Sequence, residues 1–202
     1  MVDFDKLTMT ISLVILFLSL IYIKKKKRVT NVYLIFFSIF FIYLIGVLKY
    51  TIFPIPLDPF MREVMSRETT FLNGVNLIPF NFKSMEYLLH NQILLNIILS
   101  IPFGFGISYI TKISKKKLLS YGIFFGVIIE LTQLIISLIL GYTYRYIDIN
   151  DVILNFVGVI IGYFIFKAFA MIFIKIVEKF NIKLDSILEY IYNISKYSIE
   201  KN

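Results

Sequence analysis

The sequence predicts an all-α integral membrane protein: a five-helix transmembrane bundle with its N-terminus outside, its C-terminus inside, a long outer loop and a C-terminal amphipathic helix. Three observations predict this. Hydrophobic residues make up 58% of the 202 residues and charged residues 17%, whereas soluble domains have about 45–50% and about 25%. Five apolar stretches are long enough to cross about 30 Å of hydrocarbon. Basic residues cluster at alternate turns, which is the positive-inside pattern.

The predicted spans follow from apolar runs and from the residues that interrupt them. The basic cluster Lys24 to Arg28 ends the first run, and Pro54 and Pro56 end the second, because proline cannot continue a helix interior. The first run has acidic residues before it and its basic cluster after it, the reverse of a signal peptide, so we expect a retained helix. We place the spans at residues 7–23, 29–53, 91–113, 118–141 and 152–174.

The basic residues orient the predicted bundle. They crowd into the two turns predicted to be inside and into the segment after the fifth span, whereas the other side carries fewer over longer segments. We therefore interpret the net charge of +8 as a topology signal and as an attraction for anionic lipid, and we expect no nucleic-acid partner. The predicted location is the bacterial plasma membrane. The clusters are Lys24 to Arg28, Lys112 with Lys115 to Lys117, and Lys175, Lys179 and Lys183.

Two segments lie outside the spans. The outer loop at 54–90 is long, and loops of this length are usually functional or disordered; its apolar residues predict folding against the membrane face. We divide the chain into a bundle at 1–174 and a tail at 175–202, which we predict to be an amphipathic helix on the inner surface, or alternatively a stalk for self-association. Apolar residues at steps of three and four predict its buried face: Phe180, Leu184, Ile187, Leu188, Ile191 and Ile194.

Polar side chains inside the spans are costly in lipid and are functional candidates for that reason. Glu130 lies about 12 residues into the fourth span, near mid-membrane, and Gln133 projects from the same face. Asn96 lies in the third span, before Pro102, which is expected to bend that helix. The alternative interpretation is structural, since buried amides and neutral or paired carboxyl groups also hold helices together.

The densest polar run precedes the fifth span. Spacings of three, three and four would place Arg145, Asp148, Asp151 and Asn155 on one side of a helix. In a simpler interpretation, Asp148 or Asp151 caps the helix and pairs with Arg145. Two carboxylates and an amide also suit a hard cation, but with no cysteine and one histidine we predict neither a metal nor a cofactor.

Two pairs of glycines lie four residues apart in the last two spans. Gly122 and Gly126 form one pair, and Gly158 and Gly162 form the other. Small residues at this spacing allow membrane helices to approach closely. We interpret both pairs as packing features without catalytic meaning.

Five motifs occur in order between residues 45 and 166, and together they resemble the VanZ-like family of small bacterial membrane proteins. The resemblance implies a multi-span envelope protein, and the founder of that family reduces susceptibility to the glycopeptide antibiotic teicoplanin. The motifs are Thr51-Ile52-Phe53-Pro54, Asn76-Leu77-Ile78-Pro79-Phe80, Asn96 with Ile101-Pro102-Phe103-Gly104-Phe105, Glu130-Leu131-Thr132-Gln133, and Arg145, Asp148, Asp151, Asn155, Gly158 and Gly162.

Two classes of function fit these residues. In the first, a non-enzymatic envelope protein binds a membrane lipid, a lipid-linked cell-wall precursor or the acyl tail of a lipoglycopeptide in an outward-facing polar pocket. Arg145 and the loop amides would hold a headgroup, and Pro102 would help to open a cleft for the chain. In the second, the protein is an integral-membrane enzyme that acts on such a lipid, with a carboxyl group as acid or base and Arg145 stabilising a developing anion.

The sequence alone leaves the catalytic residues, a transport function and the oligomeric state undecided. No catalytic residue is assigned, since no nucleophile motif is recognisable, and five spans without a repeat argue against a transporter. A homo-oligomer is an alternative to a monomer. The candidate ligand-binding residues are Asn76, Asn96, Glu130, Gln133, Arg145, Asp148, Asp151 and Asn155.

Overall fold

The fold was obtained as a computed structural model, which describes residues 1–60, 63–64, 74–81 and 89–200, without the side chains of 89–91. About half of the predicted outer loop at 54–90 lies outside these ranges. Within them, two short strands and six helices of more than ten residues occur. They are α1 (Lys6–Lys27), α2 (Asn31–Thr51), β1 (Val75–Asn76), α3 (Leu89–Ile110), α4 (Lys115–Leu140), β2 (Ile147–Asp148), α5 (Ile149–Lys179) and α6 (Ser186–Glu200).

Five of these helices, α1 to α5, are long and apolar enough to cross a membrane. This confirms the predicted all-α class and the five spans, and the chain is a multi-pass membrane protein. Exposed apolar side chains cover much of α1, as at Leu7 and Phe17, which suits a helix that faces lipid. The inside–outside orientation stays a prediction from the basic clusters.

The helix bounds differ from the predicted spans where local chemistry extends a helix. α1 continues through the lysine cluster to Lys27, since lysine is a good helix former, and ends where Arg28 adopts a left-handed backbone with φ of 47°. α5 begins at Ile149 rather than 152, because the carboxylate of Asp148 accepts a hydrogen bond of 2.8 Å from the backbone N–H of Asn150. At its other end α5 continues past 174 to Lys179.

The backbones of α3 and α5 touch along a line of glycines. A side chain at Gly158 would collide with the Ile97 carbonyl, one at Gly162 with the Ile101 carbonyl, and one at Gly104 with the Val159 carbonyl. These contacts confirm that the pair Gly158 and Gly162 serves packing. The other pair acts on the same helix from the α4 side: a Cβ at Gly126 would lie 2.8 Å from the Val152 Cα, and one at Gly122 would lie 2.8 Å from the Phe156 ring.

We call the α3–α5 contact at Gly104, Gly158 and Gly162 the glycine seam. Aromatic side chains fill the space around it. Phe36 of α2 stacks on Tyr109 of α3 with ring centroids 4.7 Å apart, and Phe103 of α3 packs on Phe125 of α4 at 4.5 Å. On α5, Phe166 is fully buried. The core therefore lies between α2, α3, α4 and α5, with α3 and α5 at its centre.

The amphipathic helix α6 packs against one end of the bundle. The Tyr190 hydroxyl donates a hydrogen bond of 2.5 Å to the Tyr109 carbonyl, and the Tyr190 ring stacks on Phe36 at 5.2 Å. Burial raises the pKa of Tyr190 to about 12, so its hydroxyl stays a donor at neutral pH. Ser195 is fully buried in the same face, so the face that a stalk would need is used within the chain.

The predicted extent of this helix is wrong at its start. Phe180 is the C-terminal cap of α5 and is 67% exposed, and Leu184 lies in the link before α6. The chain turns here because Asn181 adopts φ of 46°. The Asp185 carboxylate then accepts hydrogen bonds from the backbone N–H groups of Ile187 and Leu188, which starts the new helix.

The glycine seam predicts a cost for one added methyl group. We expect Gly162→Ala to lower the free energy of unfolding by about 1–3 kcal/mol, because the methyl group must displace the α3 backbone. Gly46→Ala is the matched control, since no atom lies within 4 Å of its Cβ position and alanine favours a helix by up to about 1 kcal/mol. Thermal unfolding of the two purified variants in detergent measures the difference, and equal midpoints would contradict the seam.

Candidate functional site

The candidate site lies at the end of the bundle opposite α6, where a parallel pair of short strands joins the loop segment 74–81 to the start of α5. In this pair Val75 lies opposite Ile147, and Asn76 lies opposite Asp148. The Asn76 side-chain amide donates a hydrogen bond of 3.0 Å to the Asp148 carboxylate. The loop and the helix cap are therefore held by one buried carboxylate.

Glu130 of α4 is joined to the same point. Its Oε2 accepts a hydrogen bond of 3.0 Å from the Asp148 backbone N–H. Glu130 is buried, and Asp148 is fully buried, so both depend on hydrogen bonds from within the protein. Thus two of the three carboxylate residues predicted for the site are joined through the Asp148 backbone.

Asn150 completes the junction, and the sequence interpretation missed it. Its Oδ1 accepts a hydrogen bond of 2.7 Å from the Phe80 backbone N–H, and its amide donates to the Asn81 carbonyl at 3.3 Å. Asn150 is 1% exposed. Its place in the polar run beside Asp148 and Asp151 was the only sequence signal, and its partners are about 70 residues away along the chain.

The expected helical stripe from Arg145 to Asn155 is wrong for its first two members. The helix begins at Ile149, so Arg145 lies in the connecting segment and Asp148 lies in β2 as the helix cap. The predicted cap at Asp148 is confirmed, but the predicted pairing with Arg145 is not. The capping carboxylate instead binds backbone and amide N–H groups.

The segment 142–145 binds the end of α2 through carbonyl groups. The Arg145 Nη2 donates a hydrogen bond of 2.6 Å to the Phe53 carbonyl, and the Tyr144 hydroxyl donates to the Ile52 carbonyl at 3.2 Å. Burial raises the pKa of Tyr144 although the nearby Arg145 lowers it, so the hydroxyl remains a donor. Arg145 forms no salt bridge with any carboxylate in the described part of the chain.

A polar cavity of about 320 Å³ opens beside this junction, between α3, α4 and α5. Asn96 of α3 is hydrogen-bonded to Asp151 of α5, and the Gln133 amide of α4 donates to the Thr51 carbonyl at 2.9 Å. Four predicted residues therefore converge on the cavity. Its lining residues are Gln92, Asn96, Gln133, Arg145, Tyr146 and Asp151.

Three lining residues have a buried polar atom without a partner among the described residues: Arg145 Nε, Asp151 Oδ1 and Gln133 Oε1. Buried polar atoms are rarely left unpaired, because each lost hydrogen bond costs about 1–3 kcal/mol. The cavity thus offers one cationic donor and two acceptor oxygens. A ligand that carries both an anionic group and N–H or O–H donors fits this set.

The other predicted residues lie outside the cavity lining. Asn76, Glu130 and Asp148 form the hydrogen-bonded junction beside it, and Asn155 is 1% exposed, deeper along α5. The Oδ1 of Asn155 has no hydrogen-bond partner within the described ranges. Across those ranges, no group of three or more histidine, cysteine, aspartate or glutamate side chains has a metal-binding arrangement.

Fold and site define a small multi-pass membrane protein with a polar cavity at one end of its bundle. A model of the VanZ/LLP1 family matches residues 40–173, which is more than half of the chain and runs from α2 into α5. The chain belongs to the VanZ/LLP1 family. No curated protein and no solved structure matches it.

The junction predicts a local effect on backbone exchange. Asn150→Ala removes the acceptor of the Phe80 N–H and the donor to the Asn81 carbonyl. We expect amide hydrogen exchange in the segment 74–81 to become about tenfold faster, since two hydrogen bonds of about 0.5–1.5 kcal/mol are lost. The control is Asn193→Ala on α6, an exposed asparagine at the opposite end, and equal rates in the two variants would show that Asn150 does not hold this loop.

Proposed function

We propose that this chain is a bacterial plasma-membrane envelope protein whose polar cavity binds the headgroup of a lipid or a lipid-linked cell-wall precursor. Through this binding it lowers susceptibility to teicoplanin and related lipoglycopeptide antibiotics, as the resemblance to the founder of the VanZ-like family implies. The observation that carries the proposal is the convergence of Arg145, Asp151, Asn96 and Gln133 on one cavity at the end of a membrane bundle.

The chemistry of the cavity supports a headgroup rather than an apolar ligand. The Arg145 guanidinium keeps N–H donors for a phosphate oxygen, because it is not neutralised by a described carboxylate. Charge-assisted bonds of this kind are stronger than neutral ones. The free oxygens of Asp151 and Gln133 suit the hydroxyl, amide or ammonium donors that accompany phosphate in lipid headgroups.

The position of the cavity supports a ligand of the outer leaflet. Hydrogen bonds between Val2 and Ile55 and between Arg145 and Phe53 place the N-terminus, the end of α2 and the cavity at one end of the bundle. The basic clusters around Lys24–Arg28 and Lys112–Lys117 occupy the other end. Under the positive-inside pattern the cavity faces outward, where a lipoglycopeptide and an exported precursor are both available.

An enzymatic alternative rests on the proximity of the carboxyl groups. Glu130 accepts from the backbone of Asp148, and Asp151 lines the cavity, so a carboxyl group stands where an acid or base would be needed. Glu130 is accounted for by its hydrogen bond from the Asp148 backbone, and Asp151 is equally suited to bind a donor group of a ligand. The binding function is therefore the one we propose.

Substitution of the arginine tests the binding function. We expect Arg145→Ala to weaken binding of a lipid-linked cell-wall precursor by about 10- to 100-fold, since hydrogen bonds to a charged group contribute about 1.5–3 kcal/mol. The minimal inhibitory concentration of teicoplanin should fall to that of cells without the protein. Arg28→Ala, an exposed arginine at the opposite end, is the matched control for expression and insertion.

The lipid composition of the same cells separates the two functions. Asp151→Asn and Glu130→Gln are scored for drug susceptibility and for membrane lipids beside Arg145→Ala. Binding predicts lost protection with unchanged lipids. A substrate that accumulates in the variants would establish the enzyme instead, and full protection in all three would exclude this site.

A further inference from the structure

A second cavity system lies toward the end of the bundle that carries α6. An apolar cleft of about 610 Å³ is enclosed by α2, α3 and α5, with Phe40, Pro102 and Phe169 among its walls. Gly106 has no side chain here, and a Cβ on it would lie 2.8 Å from the Phe40 ring, so the glycine keeps the cleft wide. On its lipid side the cleft is bordered by Ile39, which is 60% exposed.

The cleft adjoins a smaller cavity of about 390 Å³ between the end of α3 and α6. The buried side chain of Tyr109 lines both spaces. Polar and charged side chains contribute to the lining of the smaller cavity, among them Lys112, Asn193 and Tyr197. An apolar space within the membrane span thus adjoins a space at its edge that contains polar side chains, and this arrangement suits a lipid with an acyl chain and a headgroup.

The smaller cavity contains a buried hydroxyl without a partner among the described residues. Ser108 is 8% exposed, and its Oγ has no hydrogen-bond partner among the residues that the structure describes. Since it lines the cavity, it can donate to an oxygen of a bound headgroup. Buried hydroxyl groups are usually hydrogen-bonded in this way.

Positive charge surrounds the same opening. The Lys112 ammonium lies 5.3 Å from the centroid of the Tyr197 ring, and it forms no salt bridge with a carboxylate of the described chain. Lys117 donates to the Lys112 carbonyl at 3.3 Å, which brings a second ammonium to this turn. An anionic headgroup is complementary to this turn.

We propose that this end of the protein holds one anionic membrane phospholipid, with its phosphate between Lys112 and the Ser108 hydroxyl and one acyl chain in the apolar cleft. The helix α6 closes the site from the side through Tyr190 and Asn193. The site lies at the opposite end from the polar cavity and does not depend on the function proposed for that cavity.

The test uses the full chain purified in detergent. Native mass spectrometry records the lipid that stays bound when phosphatidylglycerol or phosphatidylcholine with identical acyl chains is added. We expect retention of phosphatidylglycerol in preference to phosphatidylcholine. Lys112→Ala should reduce the retained phosphatidylglycerol by about fivefold, as expected for one lysine near an anionic group, whereas the exposed Lys116→Ala should not.

A second pair of variants tests the cleft. Ile39→Trp places bulk at the cleft and should reduce the binding of both lipids, whereas Ile128→Trp, at an equally exposed position on α4, should not. Equal retention of the two lipids by the unaltered chain would overturn the headgroup site without any variant. Equal effects of Lys112→Ala and Lys116→Ala, or of the two tryptophan variants, would show that the lipid binds nonspecifically to the membrane-facing surface, and would overturn the proposal.

Discussion

The carboxylate of Asp148 is the constraint on which the site depends. It is fully buried and accepts hydrogen bonds from the Asn150 backbone and the Asn76 amide, while its own backbone N–H binds Glu130. Such a carboxylate is stabilised by N–H donors and by the positive end of the helix dipole. One residue thereby starts α5, attaches the loop segment 74–81 and joins both to α4. Both hydrogen bonds reach the same carboxylate oxygen, and Arg145 binds the Phe53 carbonyl and lines the cavity.

The glycine seam determines how closely α3 and α5 approach each other beside the site. Gly158 lies against the Ile97 carbonyl, and Gly162 lies against the Ile101 carbonyl, so α3 and α5 run in backbone contact. Asn96, the residue before Ile97, lies at this contact and is hydrogen-bonded to Asp151. The packing of α3 against α5 therefore also positions the polar side chains of the cavity. A methyl group added to one of these glycines should displace those side chains.

The sequence predicted best where a physical rule acts within one helix. The five spans, the glycine contacts and the burial of Glu130 and Gln133 follow from length, spacing and the cost of polar groups in lipid. It failed where partners come from distant segments. The stripe was extended back to Arg145 because spacing alone does not reveal the short strand before Ile149, and the Phe80 partner of Asn150 lies in a loop that no periodicity describes.

The most direct test of the central claim is an experimental density map of the full chain crystallised from a lipidic phase. We expect non-protein density in the polar cavity, in contact with the Arg145 guanidinium and the Asp151 carboxylate, while Asp148 remains bound to Asn76. A cavity closed by a salt bridge between Arg145 and Asp151, or one that holds only ordered water in the presence of lipid, would contradict it.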